Sequence, residues 1–266
     1  NSLSLLEGWS IENYFFREIS TSVGCVSHRS IQEYLKALIF LDRKGIFVTT
    51  GGDPIKISSE RIDNLIKTIQ TSKYKYINSV IYDDKYILSV PIGDNDYCDT
   101  VIMYDFKIKC FYIFKNWIIQ DMTLIETDDD ELKLYAGSND SGVYELFNGS
   151  SDVDIDGNNN DISMIIETKH YDEGTPLFLK LIRSITAYTK GVAGSTYTFK
   201  WQVGDNALES KGINITNTNK IAKRFRPLSG RGTKFYLRIE ESSQNEFDIF
   251  GFSTDTEILS KMDINK

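Results

Sequence analysis

The chain has 266 residues, with 30 Lys and Arg against 38 Asp and Glu, a formal net charge of -8. Hydrophobic residues make up 41% and charged residues 26%, which is typical of a globular protein and excludes a disordered or fibrous one. The acidic balance argues against a protein whose main task is to wrap duplex DNA, because that task needs a basic face. No apolar run is long enough for a transmembrane helix, so we expect no membrane span. The start at Asn1 has neither Met nor a leader pattern, so we expect the chain to be part of a longer one.

Aromatic residues are abundant and proline is rare, with 15 Tyr and 15 Phe against 4 Pro, which favours many short strands. Three pairs of apolar runs joined by polar turns predict hairpins. They lie at 38–41 with 46–50, 79–82 with 86–90, and 101–104 with 110–114. One short helix is predicted after Ser58 or Ser59, because Ile62, Leu65, Ile66 and Ile69 recur at helical spacing.

The hairpins repeat along the first part of the chain. The segment 45–48 resembles 142–145, and Phe47, Ile87 and Leu134, aligned as second strands, recur at intervals of about 40–50 residues, which indicates β-propeller blades. The segment 138–142 fits the start of an Asp-box turn, for which we expect a structural role. About three blades fit between residues 1 and 150, whereas a propeller closes with four or more. We therefore expect the missing blades to precede Asn1 or to come from elsewhere.

A polar linker is predicted at 151–161, where the composition changes. Asp152, Asp154 and Asp156, followed by Gly157, resemble the start of a calcium loop. Ser163 stands where such a loop has its bidentate Glu, so the favoured interpretation is a solvated linker with no metal.

The residues after the linker predict a small β-sandwich at 162–266. Strand-like runs lie at 162–167, 180–188, 196–203, 234–240 and 247–253, with Gly and Asn turns between them. The predicted fold is therefore all-β: partial propeller blades in 1–150, the linker, and a β-sandwich, with one short helix.

The sequence contains no motif that indicates an enzyme or a cofactor site. It lacks a nucleophile elbow, a zinc-protease motif and a phosphate-binding P-loop. Three cysteines without CxxC spacing and two histidines make a structural zinc site unexpected, so we predict reduced, packed thiols. Carboxylate pairs lie in predicted turns, although a glycosidase pair remote in sequence stays an alternative. Trp9, Trp117 and Trp201 are predicted core anchors, and Trp117 with Tyr112 could instead form a sugar-stacking platform.

Short motifs in both parts resemble tail proteins of tailed phages. They are the run 22–25 leading into 41–47, and in the second part 167–169, 174–176, 230–232, 237–239 and 250–252. The sequence resembles the nozzle or tail-hub proteins of short-tailed phages, including the muzzle-like proteins of crAss-like phages. The likeness covers most of the chain.

The resemblance implies a structural virion protein and no catalytic residues. Such a protein forms a ring below the portal through which DNA passes. Its partners would be other copies of itself, the portal or adaptor, other tail proteins, and transiting DNA without sequence specificity. It would be located in the virion tail and assembled in the host cytoplasm. A carbohydrate-binding or glycan-cleaving propeller that binds a receptor is the alternative.

The charges are unevenly distributed along the chain. Residues 128–161 contain ten acidic residues and one basic, whereas 220–238 contain seven basic residues and no acidic ones. A solvated strand face is one explanation. The other is a contact with the acidic segment of the next copy in a ring, or a phosphate-facing strip. The interface candidates are Lys223, Arg224, Arg226, Arg231, Lys234 and Arg238.

Overall fold

The computed structural model describes residues 2–149, 152–153, 156–160, 162–215, 219–243 and 247–261. Strands hold 52% of the residues and helices 7%, which confirms the all-β prediction. The chain divides into two compact units, Asn1–Asn148 and Gly149–Lys266. Within the described ranges, no helix has the length and apolar character that crossing a bilayer requires.

The described part of the first unit consists of short strands, one helix and two 3-10 turns. In chain order they are β1 (Leu3–Glu7), β2 (Phe15–Ser20), a 3-10 turn (His28–Ser30), β3 (Gln32–Tyr34), β4 (Ala37–Asp42), β5 (Gly45–Thr49), β6 (Ile55–Lys56), α1 (Glu60–Ile66), a 3-10 turn (Thr71–Tyr76), β7 (Asn78–Tyr82), β8 (Lys85–Val90), β9 (Thr100–Asp105), β10 (Cys110–Lys115), β11 (Asp121–Glu126), β12 (Leu132–Gly137) and β13 (Val143–Glu145).

These strands form antiparallel sheets of consecutive strands. β3–β6 and β7–β10 are four-stranded, β11–β13 is three-stranded, and β1 pairs with β2 alone. The three predicted hairpins are confirmed as β4–β5, β7–β8 and β9–β10. The first strand of the middle sheet, β7, lies beside both β3 and β11. The three larger sheets therefore stand in a row with their first strands adjacent, which is how propeller blades are arranged.

The middle sheet of the row is buried on both faces. Tyr86 and Leu88 of β8 pack into a cluster with β4 and β5, whereas Ile87 packs into a cluster with Leu134 of β12. Side chains alternate between the faces of a strand, so a strand covered on both sides needs a continuous apolar run. The run in β8 is explained by this position between two neighbouring sheets.

The sequence repeat is real, but one of its strands was misassigned. Gly45 and Gly142 both lie at the turn between the second and third strands of their sheets, as predicted. Phe47, however, lies on the third strand of its sheet, whereas Ile87 and Leu134 lie on second strands. The second strand of the first sheet is β4. The misassignment arose because consecutive hairpins of a meander have the same apolar–turn–apolar pattern.

Helix α1 forms where it was predicted and packs against the first two sheets. Ile62, Ile66 and the following Ile69 are buried in the same cluster as Tyr86. Ser58 does not cap the helix: its Oγ accepts from the backbone N of Ile46 at 3.0 Å and lies 2.5 Å from an oxygen of Asp63. The serine therefore ties the start of the helix to β5.

The described part of the second unit contains ten strands. They are β14 (Asp152–Val153), β15 (Asn159–Asn160), β16 (Ile162–Glu167), β17 (Phe178–Gly191), β18 (Thr196–Val203), β19 (Glu209–Asn214), β20 (Ile221–Phe225), β21 (Arg231–Gly232), β22 (Phe235–Ser243) and β23 (Phe247–Lys261).

Two sheets of this unit pack face to face as a sandwich. One has the order β16-β22-β18-β19, and in the other β17 pairs with β20 and β21 on one side and with β23 on the other. Tyr197, Phe199 and Trp201 of β18 share a buried cluster with Ile182 and Ile185 of β17. The short pair β14–β15 lies in the segment predicted as a linker.

Candidate functional site

The hairpin β1–β2 exposes a group of large apolar side chains. Trp9 is 90% exposed, Ile11 93% and Phe16 77%. We name as the apolar hairpin the exposed residues Leu6, Trp9, Ile11, Tyr14, Phe15 and Phe16. Contiguous apolar patches of this kind mark interaction surfaces in proteins that are otherwise well packed.

The two faces of this hairpin differ. Leu6 lies opposite Phe16 in the register, and both are more than half exposed. Leu3, in contrast, packs against the buried Phe40 and Phe47 of the neighbouring sheet. At the tip, the side-chain oxygen of Asn13 accepts from the backbone N of Trp9 at 3.0 Å and of Ser10 at 2.8 Å. One face is therefore anchored, and a defined turn holds the other face outward.

The three tryptophans differ in environment. Trp201 is 4% exposed, which confirms it as a core residue. The prediction for Trp9 was wrong, because the hairpin turn carries its side chain away from the packed face. Trp117 stacks on Phe114 with ring centres 4.6 Å apart and also contacts Phe147. These contacts use the ring for packing and give the sugar-platform hypothesis no support.

The acidic pair Asp83-Asp84 forms a turn held by lysines. Lys85 pairs with Asp83, and Lys107 lies 2.8 Å from Asp84. Hydrogen bonds from these lysines lower the pKa of both carboxyl groups. A general acid needs a raised pKa, so these two carboxylates have the opposite of what acid catalysis requires.

The predicted Asp-box turn has a structural explanation in its hydrogen bonds. An oxygen of Asp140 accepts from the backbone N of Gly142 at 2.9 Å, and its other oxygen accepts from the hydroxyl of Tyr144 at 2.8 Å. These bonds lower the pKa of the Asp140 carboxyl group. They hold the turn between β12 and β13.

The calcium-loop hypothesis falls mostly outside the described residues. Asp154 and the side chain of Asp152 are not described, and Asp156 lies in a turn. Across the described ranges, no group of three or more His, Cys, Asp or Glu is placed to hold a metal ion. The three cysteines are free thiols, and burial raises the pKa of Cys98 to about 11.

The six predicted interface residues do not share one surface. Lys223 and Arg224 lie on β20, Arg226 follows it, and Arg231 lies on β21, all along one edge of the β17 sheet. Lys234 lies in the turn before β22. Arg238 lies on β22 in the opposite sheet, on the outer face, because its neighbours Leu237 and Ile239 point into the core.

Two of these arginines already have carboxylate partners. Arg238 lies 3.3 Å from Glu167 and 2.6 Å from Glu240, and Arg224 lies 3.3 Å from Asp255. The acidic segment is divided as well: Asp130 belongs to the β11–β12 turn, and Asp140 to the β12–β13 turn at the other end of that sheet. The two charge clusters of the sequence are therefore each distributed over several surfaces.

The ion pairs on β22 give a pH-dependent prediction. Lys200 at 2.7 Å and then Arg238 lower the pKa of Glu240 from its ordinary 4.5. A carboxyl group with a lowered pKa stabilises the fold above its unfolded pKa, and the stabilisation is lost as the pH falls through the folded pKa. We expect the unfolding midpoint of the wild type to fall more than that of Glu240→Gln below pH 4.5. Parallel pH curves for the two proteins would contradict this.

A cavity of about 330 Å³ lies on the open side of the sandwich and is lined by Trp201, Lys211, Arg224, Phe225 and Arg226. It lies between β18 and β19 of one sheet and the end of β20 in the other, where two edge strands face each other without pairing. Only Arg224 and Arg226 were interface candidates. Lys211 was missed because the polar run of β19 was not predicted as a strand.

Comparisons with known proteins give weak likenesses. No family model matches the chain. A part of 145 residues is 28% identical to a subunit of DNA topoisomerase 4 from Borreliella burgdorferi, which is 48% of this chain and 24% of that protein, so the chain spans about a quarter of this relative.

Solved structures with some likeness include TmCBM61 in complex with beta-1,4-galactotriose, with TM-score 0.31 and 9% identity over 51% of this chain and 82% of that one. Another is an exo-beta-1,3-galactanase of Phanerochaete chrysosporium, with TM-score 0.27 and 7% identity over 89% and 72%. A third is the GH32 beta-fructofuranosidase of Bombyx mori, with TM-score 0.22 and 8% identity over 87% and 78%. Likenesses this weak carry no argument about function.

Proposed function

We propose that the chain is a structural protein of a phage tail that assembles with copies of itself into a ring through which DNA passes. The observation that carries the proposal is the apolar hairpin, with Trp9, Ile11 and Phe16 each more than three-quarters exposed. Water contact with such side chains is unfavourable, and burying each one contributes about 1.5–3 kcal/mol. A neighbouring copy is the partner that a homo-oligomer always provides.

The row of blades supports the same proposal. The described residues 2–149 form three larger sheets and the two-stranded β1–β2 sheet. A propeller closes with four or more blades, so further strands have a place to add to this row. The portal or adaptor, other tail proteins, transiting DNA and a virion location belong to the proposal through the sequence resemblance. A purely structural role without enzymatic activity belongs to it in the same way.

Electron microscopy of the purified full chain tests the proposal. We expect closed rings of uniform size from the wild type. Trp9→Ser combined with Phe16→Ser should abolish the rings and leave monomers with an unchanged circular dichroism spectrum, because the apolar contact between copies is lost. Leu228→Ser is the matched control: Leu228 is 94% exposed but lies in the second unit, away from the hairpin.

Two results would contradict the proposal. One is a wild-type protein that stays monomeric at high concentration and in tail particles. The other is ring formation that survives the double substitution. Glycan binding by a monomeric wild type would favour the alternative of a receptor-binding protein.

A further inference from the structure

We propose that the cavity between β19 and β20 is a binding site for a phosphate-class oxyanion. The proposal concerns the second unit alone and does not depend on ring formation. We name this cavity the oxyanion pocket; it is lined by Trp201, Lys211, Arg224, Phe225 and Arg226.

The first argument is the charge of the lining. Three of the five side chains are cationic, and among the described residues neither Lys211 nor Arg226 makes an ion pair. Arg224 is shared with Asp255 on its other side, at 3.3 Å, and donates to the hydroxyl of Ser184 at 2.8 Å. Lys211 and Arg226 therefore carry the uncompensated charge of the pocket.

The strands explain why these cations converge. Lys211 lies on the same side of β19 as the buried Ile213, two residues further on, so its side chain is directed towards the gap between the sheets. Arg226 follows Phe225, which is buried in the same gap. Because β19 and β20 are edge strands among the described residues, no further strand there covers this side of the sandwich.

The second argument is an unused hydrogen-bond donor. Trp201 is 4% exposed, and among the described residues its indole Nε1 is buried without an acceptor. Buried donors nearly always have a partner, and leaving one unpaired is unfavourable. An anion, or a water that it holds in the pocket, supplies the missing acceptor.

The third argument is the chemistry of the donors. A guanidinium group binds the oxygens of phosphate in a bidentate manner, an ammonium group adds a point charge, and an indole donates a single hydrogen bond. A volume of about 330 Å³ holds a phosphate group together with water or part of an attached sugar. The pocket is thus suited to inorganic phosphate or to a phosphodiester.

The test uses the ¹⁵N-labelled full chain, in which only three tryptophans give indole resonances. The Trp201 resonance is identified by its loss in Trp201→Phe. Titration with sodium phosphate, balanced with sodium chloride to constant ionic strength, should shift this resonance saturably. Lys211→Gln with Arg226→Gln should raise the dissociation constant by about 10-fold or more. Lys223→Gln, a cation of the same strand outside the lining, should change it by less than about 2-fold.

A short single-stranded DNA oligonucleotide forms the second arm. A shift of the Trp201 resonance by the oligonucleotide, lost in the double variant, identifies a phosphodiester as a source; a shift by phosphate alone identifies the free ion. No shift with either probe overturns the proposal. Equal weakening by Lys223→Gln also overturns it, since that result means diffuse charge attraction without a site.

Discussion

Replacing Gly45 by alanine should strongly destabilise the first unit. Gly45 has a φ of +143°, which residues with a side chain rarely adopt. A Cβ atom there would lie 2.3 Å from the Oγ of Ser58 and 2.5 Å from an oxygen of Asp63. The clash breaks the link between β5 and the start of α1. We expect a loss of about 2–4 kcal/mol in the free energy of unfolding, measured by urea denaturation.

Two glycines in the next turn separate the causes. Gly51 has a φ of +98° with open space around it, and Gly52 has open space and no positive φ. Gly51→Ala should cost roughly 1–2 kcal/mol through its backbone alone. Gly52→Ala should lie within about 0.5 kcal/mol of the wild type. If Gly45→Ala is no worse than Gly51→Ala, the contact with Ser58 and Asp63 has no energetic importance.

Replacing Lys180 by methionine should destabilise the second unit to a similar extent. Lys180 is completely buried, and its Nζ donates to the carbonyl oxygens of Thr175 at 2.7 Å, Phe178 at 3.2 Å and Thr233 at 2.9 Å. Methionine fills the space but leaves these oxygens without the donor. Buried groups that lose a partner cost more than an average hydrogen bond, so we expect a loss of about 2–4 kcal/mol.

Lys190 is the matched control on the same strand. Its side chain is 49% exposed, and its Nζ lies 3.7 Å from Asp248. Surface pairs of this kind contribute little, so Lys190→Met should change the unfolding free energy by less than about 1 kcal/mol. Denaturation followed by the fluorescence of the buried Trp201 measures both variants. Equal effects of the two substitutions would mean that the three carbonyl contacts are unimportant for stability.

Local patterns predicted the fold well where they reflect burial. The apolar runs of β8 and β9 and the helical spacing in α1 correspond to buried faces, so hairpins and helix were found in place. Strands β19 and β20 were missed because they lie at sheet edges, where few side chains are buried and polar residues are tolerated. The full length of β17 and β23 was also missed, since their outer faces are polar.

The site was less predictable than the fold. The concentration of basic residues at 220–238 was visible, but charge clusters in sequence become separated when neighbouring strands point to opposite faces or belong to different sheets. Arg226 was identified from its charge, whereas Lys211 and Trp201 join it only through the pairing of β18 with β19. The exposure of Trp9 depends on the direction of a hairpin turn, which composition does not encode.

The position of β7–β10 in the row has a consequence for how the first unit opens. This sheet has packed neighbours on both faces, whereas β1–β2 has only two strands and one packed face. In a linear stack, each element is held by its nearest neighbours, so local opening is cheapest at the ends and most costly in the centre. The amide protons of β8 and β9 therefore exchange with solvent only when the unit unfolds globally, while those of the hairpin exchange through local fluctuations. The surface available to a partner is in this way also the part of the unit that is free to adapt to it.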